Sequence, residues 1–273
     1  MDRSKKLICT VLAVLLAGVL LGVVVFAIHQ MTARPSTPIP AETPAETVQP
    51  TPTPSPTPEP TPEPTPTPYV SPIDFEALWE VNPHVIAWIE IPGTVISYPI
   101  LQHPLEDNYY LNVTMEGAYG YPGSIYTNAM EGKYFAGFNT VIYGHNMSDG
   151  SMFADLSKFQ NLEFMKENRE IRLYTPTAEY TYLICAHVIY DDRLITYEYD
   201  DTLESDNQSF LASLHNGSAG TVWLDEPEIT TKDRILTLST CIGGMPDNRR
   251  LVIAVQQQPD NPDFVIILPD ADD

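Results

Sequence analysis

Fourteen of the chain's 26 prolines fall between Pro35 and Pro68, and neither helix nor sheet can run through them. Proline lacks a backbone N–H and fixes its own φ. The segment from Pro35 to Pro68, which ends in the alternating TPTPSPTPEPTPEPTPTP run, therefore predicts an extended, polyproline-like spacer of ~3.1 Å per residue, roughly 100 Å if straight. This spacer divides the sequence into unlike parts. Ahead of it, Leu7 to Ile28 is an uncharged, apolar run of 22 residues. As a helix of ~1.5 Å per residue, such a run crosses the ~30 Å hydrocarbon layer of a bilayer. A cleavable signal has a shorter apolar core and a small-residue cleavage site, and His29-Gln30-Met31 offers none. The run reads as an uncleaved anchor, and Arg3, Lys5 and Lys6 before it hold the N-terminus in the cytoplasm. Everything beyond the membrane is then extracellular.

The organisation expected is a cytoplasmic N-terminus at 1–6, a transmembrane anchor at 7–28, a stalk at 29–68, a globular domain at 69–258 and an acidic tail at 259–273. The net charge of −22 belongs almost wholly to the part after Pro68, which has 10 basic and 31 acidic residues. A nucleic-acid binder needs clustered lysine and arginine for phosphate contacts, so that class is excluded. The 205 residues after Pro68 suffice for one real hydrophobic core.

That domain opens with IDFEALWEVN, where Asp74 can cap a short helix with Phe75, Leu78 and Trp79 on one face. Eight strand-like runs follow: HVIAWIEIPG, TVISYPILQ, GSIYTN, TVIYGH, REIRLYTP, EYTYLICAHVIY, RILTLSTC and RLVIAVQQ. Each is rich in β-branched or aromatic residues and bounded by turn formers, which predicts a mainly β barrel or sandwich. Two helices interrupt it, SMFADLSKF with Ser151 as its cap, and Thr202 to His215.

Cysteine offers the clearest chemistry. Cys185 lies mid-strand and reads as a buried core thiol. Cys241 ends RILTLSTC beside Gly243 and Gly244, at a strand terminus where reactive groups usually sit. An eight-residue loop to the next strand would put Arg250 near Cys241, and a guanidinium there favours thiolate and supplies N–H donors to an oxyanion. Arg249 is the alternative, and strand alternation is expected to send it to the opposite face. A thiol nucleophile also needs a proton carrier. Of the six histidines, His145 has the constrained setting, where the strand TVIYGH meets a polar turn. His187 is mid-strand and reads as structural. No histidine pair has zinc-ligand spacing and no glycine-rich phosphate loop occurs in the sequence, so neither a metal nor a nucleotide site is expected. Ser239 precedes Cys241 by two residues and is expected on the same face, where it either borders a substrate groove or serves as a structural strand hydroxyl.

TLSTC at Thr237 to Cys241, RLVIAV at Arg250 to Val255 and YGHN at Tyr143 to Asn146 together resemble the sortases, cysteine transpeptidases of Gram-positive surfaces. NPHVIAWIEIPGTVISYPILQ and YGHNMSDGSMFADLSKF look most like class B. The resemblance covers residues 72 to 258. It implies a closed eight-stranded barrel with an N-terminal helix and a helix inserted before the last strands. It also implies a His–Cys–Arg site at His145, Cys241 and Arg250, with no cofactor. The implied partners are secreted proteins with a C-terminal sorting motif, NPxT-like favoured, and an amine from a peptidoglycan precursor or a pilin lysine. Two other readings stand beside it. One is a cell-wall Cys–His peptidase or peptidoglycan-modifying enzyme, and the other a non-enzymatic adhesin on a proline stalk.

Overall fold

A computed structural model describes residues 69–257 apart from Lys133. The expected anchor, the proline-rich stalk and the acidic tail lie outside the described residues. Among those described, no helix is long and apolar enough to cross a membrane.

The chain enters through the helix Phe75–Val81, whose first turn is capped by Asp74 accepting from the Ala77 amide at 3.0 Å. Nine strands follow in chain order: β1 Val85–Glu90, β2 Ser97–Gln102, β3 Ile125–Thr127, β4 Asn139–Tyr143, β5 Glu170–Tyr174, β6 Glu179–Asp191, β7 Val222–Trp223, β8 Ile235–Ile242 and β9 Met245–Gln256. Their order is β5-β1-β2-β3-β4-β8-β9-β6, and β5 pairs back onto β6 to close an eight-stranded barrel. All eight runs read from the sequence are barrel strands. The ninth, β7, was not expected. It contributes two residues and pairs with β6 at Ala186 and His187, further along β6 than the residues that pair with β5. Most pairs are antiparallel, but β2 with β3 and β4 with β8 run parallel.

Strand alternation sorts the apolar side chains into two layers. One alternate set, including Ile89, Ile100, Ile125, Ile142, Leu238 and Val252, converges from all eight barrel strands into a single interior cluster. The other set on β4, β6, β8 and β9 faces outward, where Val141, Val188, Leu251 and Ile253 meet Phe210 and Leu214. Those two belong to the helix Glu204–Leu214, inserted between β6 and β7. Both faces of β8 and β9 are thus covered along most of their length.

One helix differs from expectation. SMFADLSKF forms a 3-10 helix at Ala154–Gln160, and Ser151 does not cap it. Asp149 holds Ser151 instead, its carboxylate accepting from both the Ser151 amide and hydroxyl. Those bonds draw Ser151 into the preceding turn, and Met152 then takes a positive φ of 57° while its amide donates to the Tyr98 hydroxyl.

Candidate active site

The site forms where β4 and β8 end side by side. The two strands run parallel in register from Asn139 opposite Ile235 to Tyr143 opposite Ser239. His145 lies two residues past Tyr143, and Cys241 two past Ser239, so the register carries both to one end of the barrel. The junction is tied by backbone: the Gly144 amide donates to Ser239 O at 3.2 Å, and the Thr240 hydroxyl donates to Gly144 O at 2.7 Å. Glycine is required at 144, because a Cβ there would collide with Ile125 Cδ1 and the Phe153 ring. Beyond the strand, Asn146 Nδ2 donates to Cys241 O at 3.1 Å, binding the histidine turn to the cysteine strand.

The His145 ring is held from two sides. Its Nε2 lies 2.8 Å from Leu111 O, and a carbonyl can only accept, so Nε2 carries the proton and Nδ1 is left for proton exchange. Tyr121 lies against the ring at 4.6 Å between centroids. Cys241 is exposed and free, a thiol open to a substrate. Cys185, the other cysteine among the described residues, is fully buried and donates to Ile253 O. Burial pushes its thiol up to about 12, which suits the structural role expected of it.

The arginines are where sequence reasoning and structure part. The β8–β9 hairpin turns through Gly243 and Gly244, with Ile242 opposite Met245 and Gly244 at φ 77°. The next pair is Cys241 with Arg249. Pro246, Asp247 and Asn248 therefore form an irregularity of three residues. Below it the register is regular, with Thr240 opposite Arg250, Ser239 opposite Leu251 and Leu238 opposite Val252. Antiparallel partners share a face, so Arg249 shares the face of Cys241. Arg250 lies with Thr240, Leu238 and Val252 on the barrel interior. The expectation that Arg250 faces Cys241 while Arg249 turns away is thus reversed. An odd number of residues in the irregularity inverts the parity that strand alternation alone had assigned.

Their surroundings agree with this. Arg249 is half-buried, and its Nη1 donates to Pro246 O and Asn248 O, both at 2.9 Å. Arg250 is 7% exposed, and its Nε donates to His187 Nε2 at 3.0 Å. Burial lowers the Arg250 guanidinium from its usual value. Among the described residues no carboxylate forms an ion pair with either arginine. Ser239 does lie on the side of Cys241, but it is buried at 5% exposure, in the floor rather than on an open wall. Leu111 and Tyr121 had no sequence signal that tied them to His145, since each acts through loop placement, whereas Asn146 was visible in YGHN and only its bond to Cys241 O was not.

A separate cavity of about 450 Å³ lies between the β3–β4 connection and the insert. Glu131, Asp201, Phe138, Ile195 and Tyr199 help line it, and His145, Cys241 and Arg249 do not. Burial pushes the Glu131 carboxyl up to about 8, although the Val141 amide donates to it.

An exposed thiol, a histidine with a fixed proton and an arginine at one end of a closed barrel are the groups that cysteine acyl transfer requires. A sequence model of the Sortase domain matches residues 89–257. The chain belongs to the sortase family, whose members are cysteine transpeptidases. Sortase B of Listeria monocytogenes serovar 1/2a is 34% identical over 164 residues, which span 60% of this chain and 65% of that protein. Sortase B of Staphylococcus aureus is 28% identical over 189 residues, covering 68% of this chain and 75% of its own length. Among solved structures, sortase B of Clostridium perfringens superposes with a TM-score of 0.60 at 26% identity, over 68% of this chain and all of that one.

Proposed function

We propose that the protein is a membrane-anchored, extracellular transpeptidase of the class B sortase kind. It cleaves a sorting motif after threonine in a secreted protein. The Cys241 thiolate attacks the threonine carbonyl, the peptide C–N bond breaks, and a thioester forms on Sγ. The departing amine takes its proton from His145. A second amine then attacks the thioester, forms a new amide and returns the thiol. Arg249, rather than Arg250, holds the peptide carbonyl or its developing oxyanion. Ser239 supports the floor of the groove.

The observation that carries this reading is the convergence of His145, Cys241 and Arg249 on one end of β4, β8 and β9. The NPxT frame is favoured for the substrate by the class B resemblance, and a peptidoglycan precursor or a pilin lysine supplies the accepting amine. The apolar run Leu7–Ile28 and the basic residues before it support the anchor and its direction, and the proline-rich stalk supports reach away from the bilayer.

A peptide library in NPxT, SPxT and LPxT frames, with and without added amine, tests the reading. Cleavage is expected in the NPxT frame, with amide product when amine is present. Cys241→Ala is expected to reduce turnover by roughly 10³-fold or more at unchanged melting temperature. Undiminished cleavage in that variant overturns the assignment.

A further inference from the structure

We propose that Arg250 is a positioning residue whose anchorage inside the barrel fixes Arg249 toward Cys241. The inference rests on the reading of Arg249 as the oxyanion-holding cation.

Two adjacent arginines make this point of β9 ambiguous. A one-residue slip against β8 would exchange their faces. Hydrophobic patterning cannot prevent such a slip, because Leu251, Val252, Ile253, Ala254 and Val255 are all buried and both faces of the strand are apolar. Against β8 the Pro246–Asn248 segment is irregular, and the tip side is held from β6 instead, where Asn248 pairs with Asp191 and its Nδ2 donates to Tyr190 O at 3.2 Å. Something polar has to distinguish the two positions, and the interior contains it.

Arg250 Nε donates to His187 Nε2 at 3.0 Å, and His187 Nδ1 donates to Gly220 O at 3.0 Å. Those two bonds define the histidine as neutral, with its proton on Nδ1. Burial first, and the Arg250 charge second, lower the His187 ring to about 4, so the acceptor persists at neutral pH. His187 lies opposite Val252 and Arg250 opposite Ile189, which fixes the pairing of β6 with β9 on the same interior face. Arg249 has no equivalent interior partner to offer. Were it turned inward in place of Arg250, the strand offset would carry its guanidinium away from the His187 lone pair.

The arrangement repeats across the site. The Thr240 hydroxyl, opposite Arg250, holds Gly144 O, one residue before His145. Each of the three outer groups thus has an interior neighbour in the chain, Gly144, Thr240 or Arg250, that is tied by a hydrogen bond. A buried guanidinium with a neutral partner is a poor stabiliser, since its Nη1 is buried with no partner among the described residues. Its cost fits a residue retained to specify one register.

The test compares Arg249→Ala, Arg250→Gln and their combination, with the double variant His187→Leu/Arg250→Met as a stable apolar replacement. Turnover is normalised to titrated thiol, and kcat and KM are read separately alongside the melting temperature. Arg250→Gln is expected to lower kcat 10- to 100-fold with KM little changed, because Arg249 is then no longer held toward Cys241. In the Arg249→Ala background it should change kcat by less than threefold. The apolar double variant is expected to keep wild-type melting temperature and lose the same kcat. Full activity in that double variant, or a loss from Arg250→Gln that multiplies undiminished with that from Arg249→Ala, overturns the inference and leaves the role of Arg249 intact. An active Arg249→Ala enzyme overturns the reading of Arg249 itself, and the inference with it.

Discussion

The two faces of the β8–β9 hairpin contrast sharply. Outside, Cys241 is exposed and Arg249 half-buried, next to a three-residue irregularity and a glycine turn. Inside, Thr240 and Arg250 are buried at 2% and 7% exposure and hydrogen-bonded to Gly144 and His187. Reactive groups sit where the backbone is open to a substrate, and adjacent residues on the inner face supply the rigidity. Chemistry and positioning are separated by a single residue step along each strand.

Breaking the outer face should cost the most. Arg249→Ala is expected to lower kcat/KM by about 10²- to 10³-fold, the usual consequence of losing one oxyanion donor. Because the side chain is half-buried at a hairpin tip, the melting temperature should change little. Steady-state cleavage of an NPxT peptide and a thermal melt check both halves, and a stability loss with normal turnover would erase the contrast between the faces.

The inner face should show the converse in milder form. Thr240→Val keeps the shape but leaves Gly144 O without its 2.7 Å donor in a buried setting. The expected cost is about 1–3 kcal/mol of stability. Activity should fall through the placement of His145, with the loss confined to kcat. Urea unfolding alongside kinetics separates the two effects.

The smallest effect comes from two buried titratable groups. The Glu131 carboxyl titrates at about 8 in the fold against a usual 4.5. The native state therefore binds a proton that the unfolded chain releases, so stability is full below pH 4.5 and is lost as pH rises toward 8. Glu131→Gln can still accept from the Val141 amide and should flatten that slope. His187 has the opposite sign, since its lowered value makes stability fall as pH drops from 6.5 toward 4. Melting curves from pH 4 to 9 display both slopes without touching turnover at neutral pH.

Much of this was legible in the sequence, and the exceptions share a cause. Eight strands announced themselves through β-branched runs and turn residues, and the strand-end position of Cys241 and the glycine-to-turn setting of His145 singled those residues out. Arg249 and Arg250 could not be told apart that way. Alternation gives parity within a strand, but the parity between strands depends on how many residues the hairpin leaves unpaired. Pro246, Asp247 and Asn248 carry no local signal of that number. Ser151 misled for a related reason: it is a good cap by type, and Asp149 two residues earlier captured it first. The contacts of Leu111 O and Tyr121 with His145 join loops distant in sequence and had no pattern to betray them.

The central claim is that Cys241 forms the acyl enzyme. Intact-mass and peptide-mapping measurement of the protein incubated with an NPxT peptide and no added amine tests it directly. The expected result is a covalent adduct of the N-terminal peptide fragment, confined to Cys241, sensitive to hydroxylamine and discharged by an added primary amine. Cleavage with no adduct at any time, or an adduct on another residue, would contradict it.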